Sequence, residues 1–330
     1  MAKTMTSANP HTPSPDTSDF SVPAAGQGGS FTHQAGRKMV CLDVDGTLVD
    51  HDGHMSEAVK EAGRALVAEG HTVVVATGRS LPATLPVVEI LGIEKGYAVC
   101  SNGGVTVRID TALSENYEVI DQQIFDPSSA LDQLSERLPN AKFAVETSAG
   151  EFLSTERFED MSFGLAAQGV SFKELKQSQA VRMVVNSFDS TAEEFQKAVE
   201  SIGLQGVSYA VGWSAWLDIA AAGTTKASSL EALRERIGAQ PEDTVAVGDG
   251  RNDIEMLSWA ARGVAMGQAV EEVIAAADET TGSVYEDGWW RCCAPSWTAA
   301  DARQRGVLRS SGRRGLSAVL LRGNGLLRHP

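Results

Sequence analysis

Cysteine is scarce in this chain, with four in 330 residues. Cys41 and Cys100 fall inside apolar runs that read as buried strands, Cys292 and Cys293 are adjacent, and no spacing suits a zinc site. A reducing cytoplasm is the reading that follows. No apolar run is long enough to span a bilayer, so no membrane is expected as a partner. The opening segment lacks the apolar core of a signal peptide, and there is no internal repeat. Positive charge is in short supply, with 28 Lys and Arg against 43 Asp and Glu, a net charge of -15. The deficit lies in residues 38–287, where 18 basic residues face 40 acidic ones. An acidic body argues against nucleic acid as the main partner.

What remains is a globular composition, 42% hydrophobic and 22% charged, in a length that allows one large domain or two modest ones. Residues 1–37 hold Pro10, Pro13, Pro15 and Pro23 among Ser, Thr and Gly and read as disordered. The informative stretch comes next, Lys38-Met39-Val40-Cys41-Leu42-Asp43-Val44-Asp45-Gly46-Thr47-Leu48. Met39 to Leu42 is a continuous apolar run, which fits a strand buried on both faces. Two carboxylates follow it, and in open α/β sheets chemistry collects at the carboxyl ends of strands. Asp43 is expected to point into the crevice and Asp45 to curl back over the same point. Acids held this close need a cation or a proton to relieve their repulsion, and Mg²⁺ is the natural answer.

Strands at 71–76 and 97–101 alternate with a helix capped by Ser56 and closed by Gly70, and one opened by Pro82 and stopped by Gly92. That alternation predicts a doubly wound parallel sheet, 38–104 and 216–287. Between these, residues 105–215 show short alternating strands and two helices, from about Ser128 to Leu138 and from Thr191 to Ile202, the second with a Ser190-x-x-Glu193 capping box. They are expected to form an α+β insert. The parallel pattern resumes with a helix from Thr225 to Ile237 and the strand Thr244 to Val247.

Asp43-x-Asp45-Gly46-Thr47-Leu48 resembles the first motif of the haloacid dehalogenase superfamily, most of whose members are Mg²⁺-dependent phosphotransferases. A calcium loop is the competing reading, but an apolar strand precedes the motif and Gly46 comes too early. Thr77-Gly78-Arg79 at a strand end is similar to the second motif. Lys226, opening a helix, is similar to the third, with Ala227 where Gly is frequent. Gly248-Asp249-Gly250-Arg251-Asn252-Asp253 matches the fourth, Gly-Asp-x-x-Asn-Asp, in full. Residues 48–76 leave no room for a cap between the first two motifs. A long insert between the second and third is similar to the Cof-type branch, subfamily IIB, whose members mostly hydrolyse phosphorylated sugars and other small metabolites.

The resemblance implies a Mg²⁺-dependent phosphatase acting on a small phosphorylated metabolite. Asp43 would attack phosphorus and become an aspartyl phosphate. Asp45 would protonate the leaving oxygen and later activate water. Mg²⁺ would be held by Asp43, the Asp45 backbone carbonyl and Asp249, with Asp253 steadying that shell. Thr77, Gly78, Lys226 and Asn252 would bind the transferring phosphoryl group, with Arg79 and Asn102 as further substrate-binding candidates. A sugar-phosphate phosphomutase and a non-catalytic phosphometabolite-binding protein are the alternatives. A metal-free dehalogenase is opposed by Asp45. The substrate and oligomeric state have no motif to read them from.

At Gly288 the composition switches. Residues 288–330 carry eight Arg against Asp301 alone, and Trp289-Trp290-Arg291-Cys292-Cys293-Ala294-Pro295 stands where a final amphipathic helix is expected. A basic tail for a membrane or nucleic acid is one reading. A shifted reading frame explains the lost helix pattern, the arginines and the paired Trp and Cys together, and makes 289–330 a poorly ordered tail without a part in catalysis. Resequencing the coding region with the intact mass of native protein decides it. A frameshift is expected, and a confirmed frame with a protease-protected tail refutes it.

Overall fold

Strand β1 (Met39–Leu42) lies fully buried at the middle of an eight-stranded sheet, as its unbroken apolar run requires. The structure, a computed structural model, describes residues 33–156, 167–187, 190–211 and 215–289. On one side β1 pairs in parallel with β2 (Thr72–Ala76), which pairs in parallel with β3 (Lys95–Cys100). On the other side it pairs in parallel with β12 (Thr244–Gly248), followed by β13 (Arg262–Ala265) and β14 (Glu279–Thr280). Strand order therefore reverses between β1 and β12, which opens a crevice at their carboxyl ends. Helices α6 (Lys226–Ile237), α7 (Ile254–Trp259) and α8 (Glu271–Ala276) pack against Met39, Cys41, Val74 and Ala246. By strand alternation Val40 and Leu42 face the other way. Helix α1 (Glu57–Ala68) packs on β2 and α2 (Leu81–Ile90) on β3. Ser56 caps α1 as expected, accepting from the Val59 N–H at 3.2 Å.

The insert departs from its expected limits. Strands β4 (Val105–Asp110) and β5 (Tyr117–Gln122) join the first sheet as antiparallel strands beyond β3. Conversely β11 (Trp216–Ala221) joins the second sheet, in the order β10-β11-β9-β6-β7-β8. The others there are β6 (Lys142–Thr147), β7 (Phe152–Ser154), β8 (Gln168–Gly169), β9 (Ala180–Asn186) and β10 (Val207–Val211). Strand membership thus corrects the limits 105 and 215. The cause is hydrogen-bonding geometry: a tight turn at 101–104 sends β4 straight back along β3 as a hairpin.

One face of the second sheet carries Phe143, Val145, Met183, Val185, Leu217 and Ile219 against α3 (Ser128–Arg137), α4 (Phe172–Gln177) and α5 (Ala192–Ile202). By the two-residue period, Ala144, Glu146, Arg182, Val184, Trp216 and Asp218 lie on the other face. The capping box of α5 falls one residue later than expected, between Thr191 and Glu194, because Thr191 is the last extended residue.

Both ends of the chain qualify the expectations. Residues 1–32 and 290–330 lie outside the described residues, so the disordered segment and the atypical tail fall mostly there. Residues 33–37 are tied to the body: the His33 N–H donates to the Ile237 carbonyl at 2.9 Å and its ring bonds Thr72 Oγ1. Trp289 was expected to begin a poorly packed tail, yet it is fully buried. A residue of that size withdrawn from water anchors the chain at this point.

Candidate active site

Asp43 leaves β1 with its backbone N–H bonded to the Val247 carbonyl at 3.0 Å, which fixes it beside β12 at the crevice. Asp249 follows β12, and Asp253 closes the tight turn Arg251–Asp253 before α7. The three carboxylates offer oxygens within 4.8 Å of one another. Lys226 enters from the start of α6, with Nζ 2.6 Å from Asp43 Oδ1 and 2.7 Å from Asp253 Oδ1. Lys226 is 1% exposed and Asp253 0%. Asp253 turns its second oxygen to the backbone N–H groups of Asp249 (3.1 Å) and Gly250 (2.9 Å). Its oxygens are thus committed, and it orients the turn that presents Asp249.

These groups perturb one another. Burial, then the Asp253 carboxylate, raises the Asp43 pKa well above its ordinary value, and Lys226 opposes the rise. Asp249 is pushed up to about 6 by burial and by Asp253. Burial would lower the Lys226 ammonium, but Asp253 and Asp43 overcome it and hold its pKa above the ordinary value. Three acids balanced by one ammonium leave an excess of negative charge in a buried place. A divalent cation fits this donor set. Asp43 and Asp249 would hold it, and carboxylate oxygens suit a hard cation. Gly46 fits the same view: with φ +84° it lies so close to Asp249 that an added Cβ would collide with Oδ2.

Asp45 was expected to curl over the same point as Asp43, with its backbone carbonyl serving the metal. Its carboxylate lies outside the cluster and forms a two-point pair with Arg79, with Nε 2.9 Å from Oδ2 and Nη2 2.5 Å from Oδ1. A fourth acid at the cluster would meet strong repulsion, whereas the guanidinium fork matches a carboxylate. Arg79, expected at the substrate, is therefore engaged with Asp45. Thr77 is buried, and its hydroxyl oxygen accepts the Arg79 backbone N–H at 3.0 Å. Gly78 lies beside Asn102, whose amide would be 3.2 Å from an added Cβ. Asn252 Nδ2 donates to Asn102 Oδ1 at 3.0 Å, so the fourth motif meets the turn that follows β3 through this pair.

A cleft of about 210 Å³ opens onto Asn102, Lys226 and Asn252 and is closed from the second sheet by Arg182, Tyr209 and Asp218. Arg182 Nε donates to Asp218 Oδ1 at 2.7 Å. Sequence reasoning missed these second-sheet residues. Their alternation marks a strand but not the face that meets the cleft. It also gave Gln268 no role, yet its amide reaches the Gly46 carbonyl at 2.6 Å and Asp249 Oδ2 at 3.3 Å.

A doubly wound sheet whose switch-point crevice holds lysine-bridged carboxylates beneath a second sheet is the architecture that the four motifs implied. The family model of haloacid dehalogenase-like hydrolases matches residues 40–291, and the chain belongs to that family, in its Cof-type branch. It is 29% identical over 261 residues to the putative phosphatase YkrA of Bacillus subtilis, covering 76% of this chain and 94% of that protein. Phosphatase YwpJ of the same organism is 26% identical over 277 residues, with 76% and 96% covered. Among solved structures, the HAD subclass IIB sugar phosphatase BT4131 superposes with a TM-score of 0.65 at 26% identity, over 77% of this chain and 97% of that one.

Two outcomes follow. A lysine at a helix start opposes the helix dipole, which alone predicts that Lys226→Ala costs little stability. The buried bridge reverses that expectation: the variant should lose about 3–5 kcal/mol in metal-free buffer, because two buried carboxylates lose their partner. Urea denaturation measures it, and an unchanged midpoint contradicts it. The raised pKa of Asp249 means that the metal-free folded state holds a proton that the unfolded chain releases above about pH 4. Stability from this group is therefore lost as pH rises through about 6, where the unprotonated acids favour a cation. The gain in Tm from Mg²⁺ over EDTA should grow across that range. A gain independent of pH from about 5 to 8 contradicts it.

Proposed function

We propose that this protein is a Mg²⁺-dependent phosphatase that hydrolyses a small phosphorylated metabolite through an aspartyl phosphate on Asp43. The observation that carries the reading is the Asp43 carboxylate held at 2.6 Å by a buried lysine at the crevice of the parallel sheet. That bond fixes one carboxylate oxygen and leaves the other to meet phosphorus, so the nucleophile is oriented before substrate arrives. The Lys226 ammonium then lies where negative charge develops on the transferring oxygens. Asn252 and Asn102, which line the cleft beside Lys226, supply amide groups to the same oxygens. Thr77 and Gly78 complete the phosphate-binding turn.

Mg²⁺, held by Asp43 and Asp249 and, following the family resemblance, the Asp45 carbonyl, would supply charge neutralisation for the phosphoryl group. Asp253 would act on that set by orienting Asp249. Asp45 serves as general acid and then base by leaving one of its Arg79 donors and turning into the crevice; Arg79 keeps it positioned between turnovers. The segment from about 123 to 221 serves as the cap that shields the cleft from water. The leaving group occupies the cleft against Arg182, Tyr209 and Asp218. A cytoplasmic location is supported by the buried free thiols of Cys41 and Cys100.

Turnover of p-nitrophenyl phosphate with Mg²⁺, abolished by EDTA, tests the reading. Asp43→Asn keeps the shape and removes the nucleophile, and should lower kcat to below about a hundredth of wild type while leaving the melting curve cooperative. Higher residual turnover contradicts the role of Asp43.

A further inference from the structure

Ser101 and Asn102 both have φ 53°, and Gly103 follows with φ 105°. Two consecutive non-glycine residues in the left-handed region are uncommon and persist only where surrounding groups enforce them. The enforcement here is dense. The Ser101 N–H donates to the Arg79 carbonyl at 2.8 Å and the Asn102 N–H to the Thr77 carbonyl at 3.0 Å, which ties the turn to the second motif. The Ser229 hydroxyl of α6 donates to the Gly103 carbonyl at 2.8 Å, and Asn252 reaches Asn102. Gly103 and Gly104 leave no space: added Cβ atoms would stand 2.5 Å from the Thr225 and Val181 carbonyls respectively. The second sheet therefore abuts the turn at Val181.

The Ser101 side chain crosses that junction. Its hydroxyl donates to Glu146 Oε2 at 2.6 Å, in a fully buried contact between the end of β3 and strand β6. Glu146 is 3% exposed and stands opposite Arg182 in the β6–β9 register, and Arg182 in turn holds Asp218 at the cleft. Burying a carboxylate is costly, and burial raises its pKa against the pull of Arg182 and the Ser101 hydrogen bond. Glu146 stands on the face away from the apolar, helix-packed cluster, beside the buried Arg182, so it joins a polar set at the junction rather than the core of the second sheet.

We propose that Glu146 is a positioning residue for the phosphoryl-transfer site: by accepting the Ser101 hydroxyl it locks the left-handed turn that aims Asn102 at Asn252 and the cleft. The segment that selects substrate thereby also completes the site that handles the phosphoryl group. This inference rests on the phosphatase reading for its kinetic consequence, but not for its structural one.

The experiment compares Glu146→Ala, Glu146→Gln, Ser101→Ala and the double variant Glu146→Ala/Ser101→Ala, with Mg²⁺ and p-nitrophenyl phosphate. Glu146→Ala and Ser101→Ala should each lower kcat by about tenfold or more with a smaller change in KM, in the range that misplacing a positioned group costs. The double variant should be no slower than the slower single one, since both remove the same bond. Glu146→Gln keeps an acceptor oxygen and should retain most of the activity. Wild-type kcat in Ser101→Ala, multiplicative losses in the double variant, or a Glu146→Gln as slow as Glu146→Ala overturns the proposal. Should Glu146→Ala fail to fold, Ser101→Ala and Glu146→Gln carry the test. If the wild type turns over no phosphomonoester, the phosphatase reading fails, and a crystal structure of Ser101→Ala decides the inference. A turn relaxed from φ near 53°, with the hydrogen bond between Asn252 and Asn102 broken, supports it. An unchanged turn overturns it.

Discussion

The Lys226 ammonium sits between two buried carboxylates, and much of the crevice depends on that contact. Removing charges from water costs several kcal/mol per ion unless each finds a partner. One ammonium can satisfy Asp43 and Asp253 only if three separate elements converge: the end of β1, the start of α6 and the turn into α7. The reversal of strand order brings the first and third together, because β1 and β12 are neighbours with parallel register. Helix α6 supplies the lysine on the same side, capped by Thr225 so that its first turn points at the acids. The fold is thus the means by which residues 183 and 27 positions apart in sequence share one proton-rich group.

The same balance suits a divalent cation at the site. With Lys226 spent on Asp43 and Asp253, Asp249 keeps an unneutralised carboxylate whose pKa is pushed up to about 6. A divalent cation relieves it, and the combined positive charge then suits a phosphoryl group. Asp45 escapes this competition by pairing with Arg79 at the rim. The acid proposed to exchange protons is the one kept out of the cluster, where 60% of its side chain meets solvent.

Much of this was legible in the sequence, for physical reasons that differ by residue. The four-residue run Met39–Leu42 could only be a strand buried on both faces, and the carboxylates after it could only lie at a crevice. Ser56 announced a helix start through a side chain that caps a backbone N–H group. The limits of the insert were not legible. Strands at 105–110 and 117–122 alternate polar and apolar residues as the strands of the second sheet do, and alternation tells which face is buried, not which sheet a strand joins. That Lys226 also bridges to Asp253 was not legible, because local helix electrostatics says nothing about carboxylates brought from elsewhere. The Ser101–Glu146 bond spans 45 residues and two sheets, and no local pattern encodes it.

The central claim is that Asp43 carries the phosphoryl group during turnover. Rapid acid quenching in the first turnover with Mg²⁺ and p-nitrophenyl phosphate, followed by mass analysis of proteolytic peptides, addresses it directly. The account predicts a phosphoryl adduct on the peptide containing Asp43, mapped to that residue by fragmentation and absent from Asp43→Asn. An adduct on another side chain, or full burst-phase product release with no covalent adduct on any peptide, would contradict it.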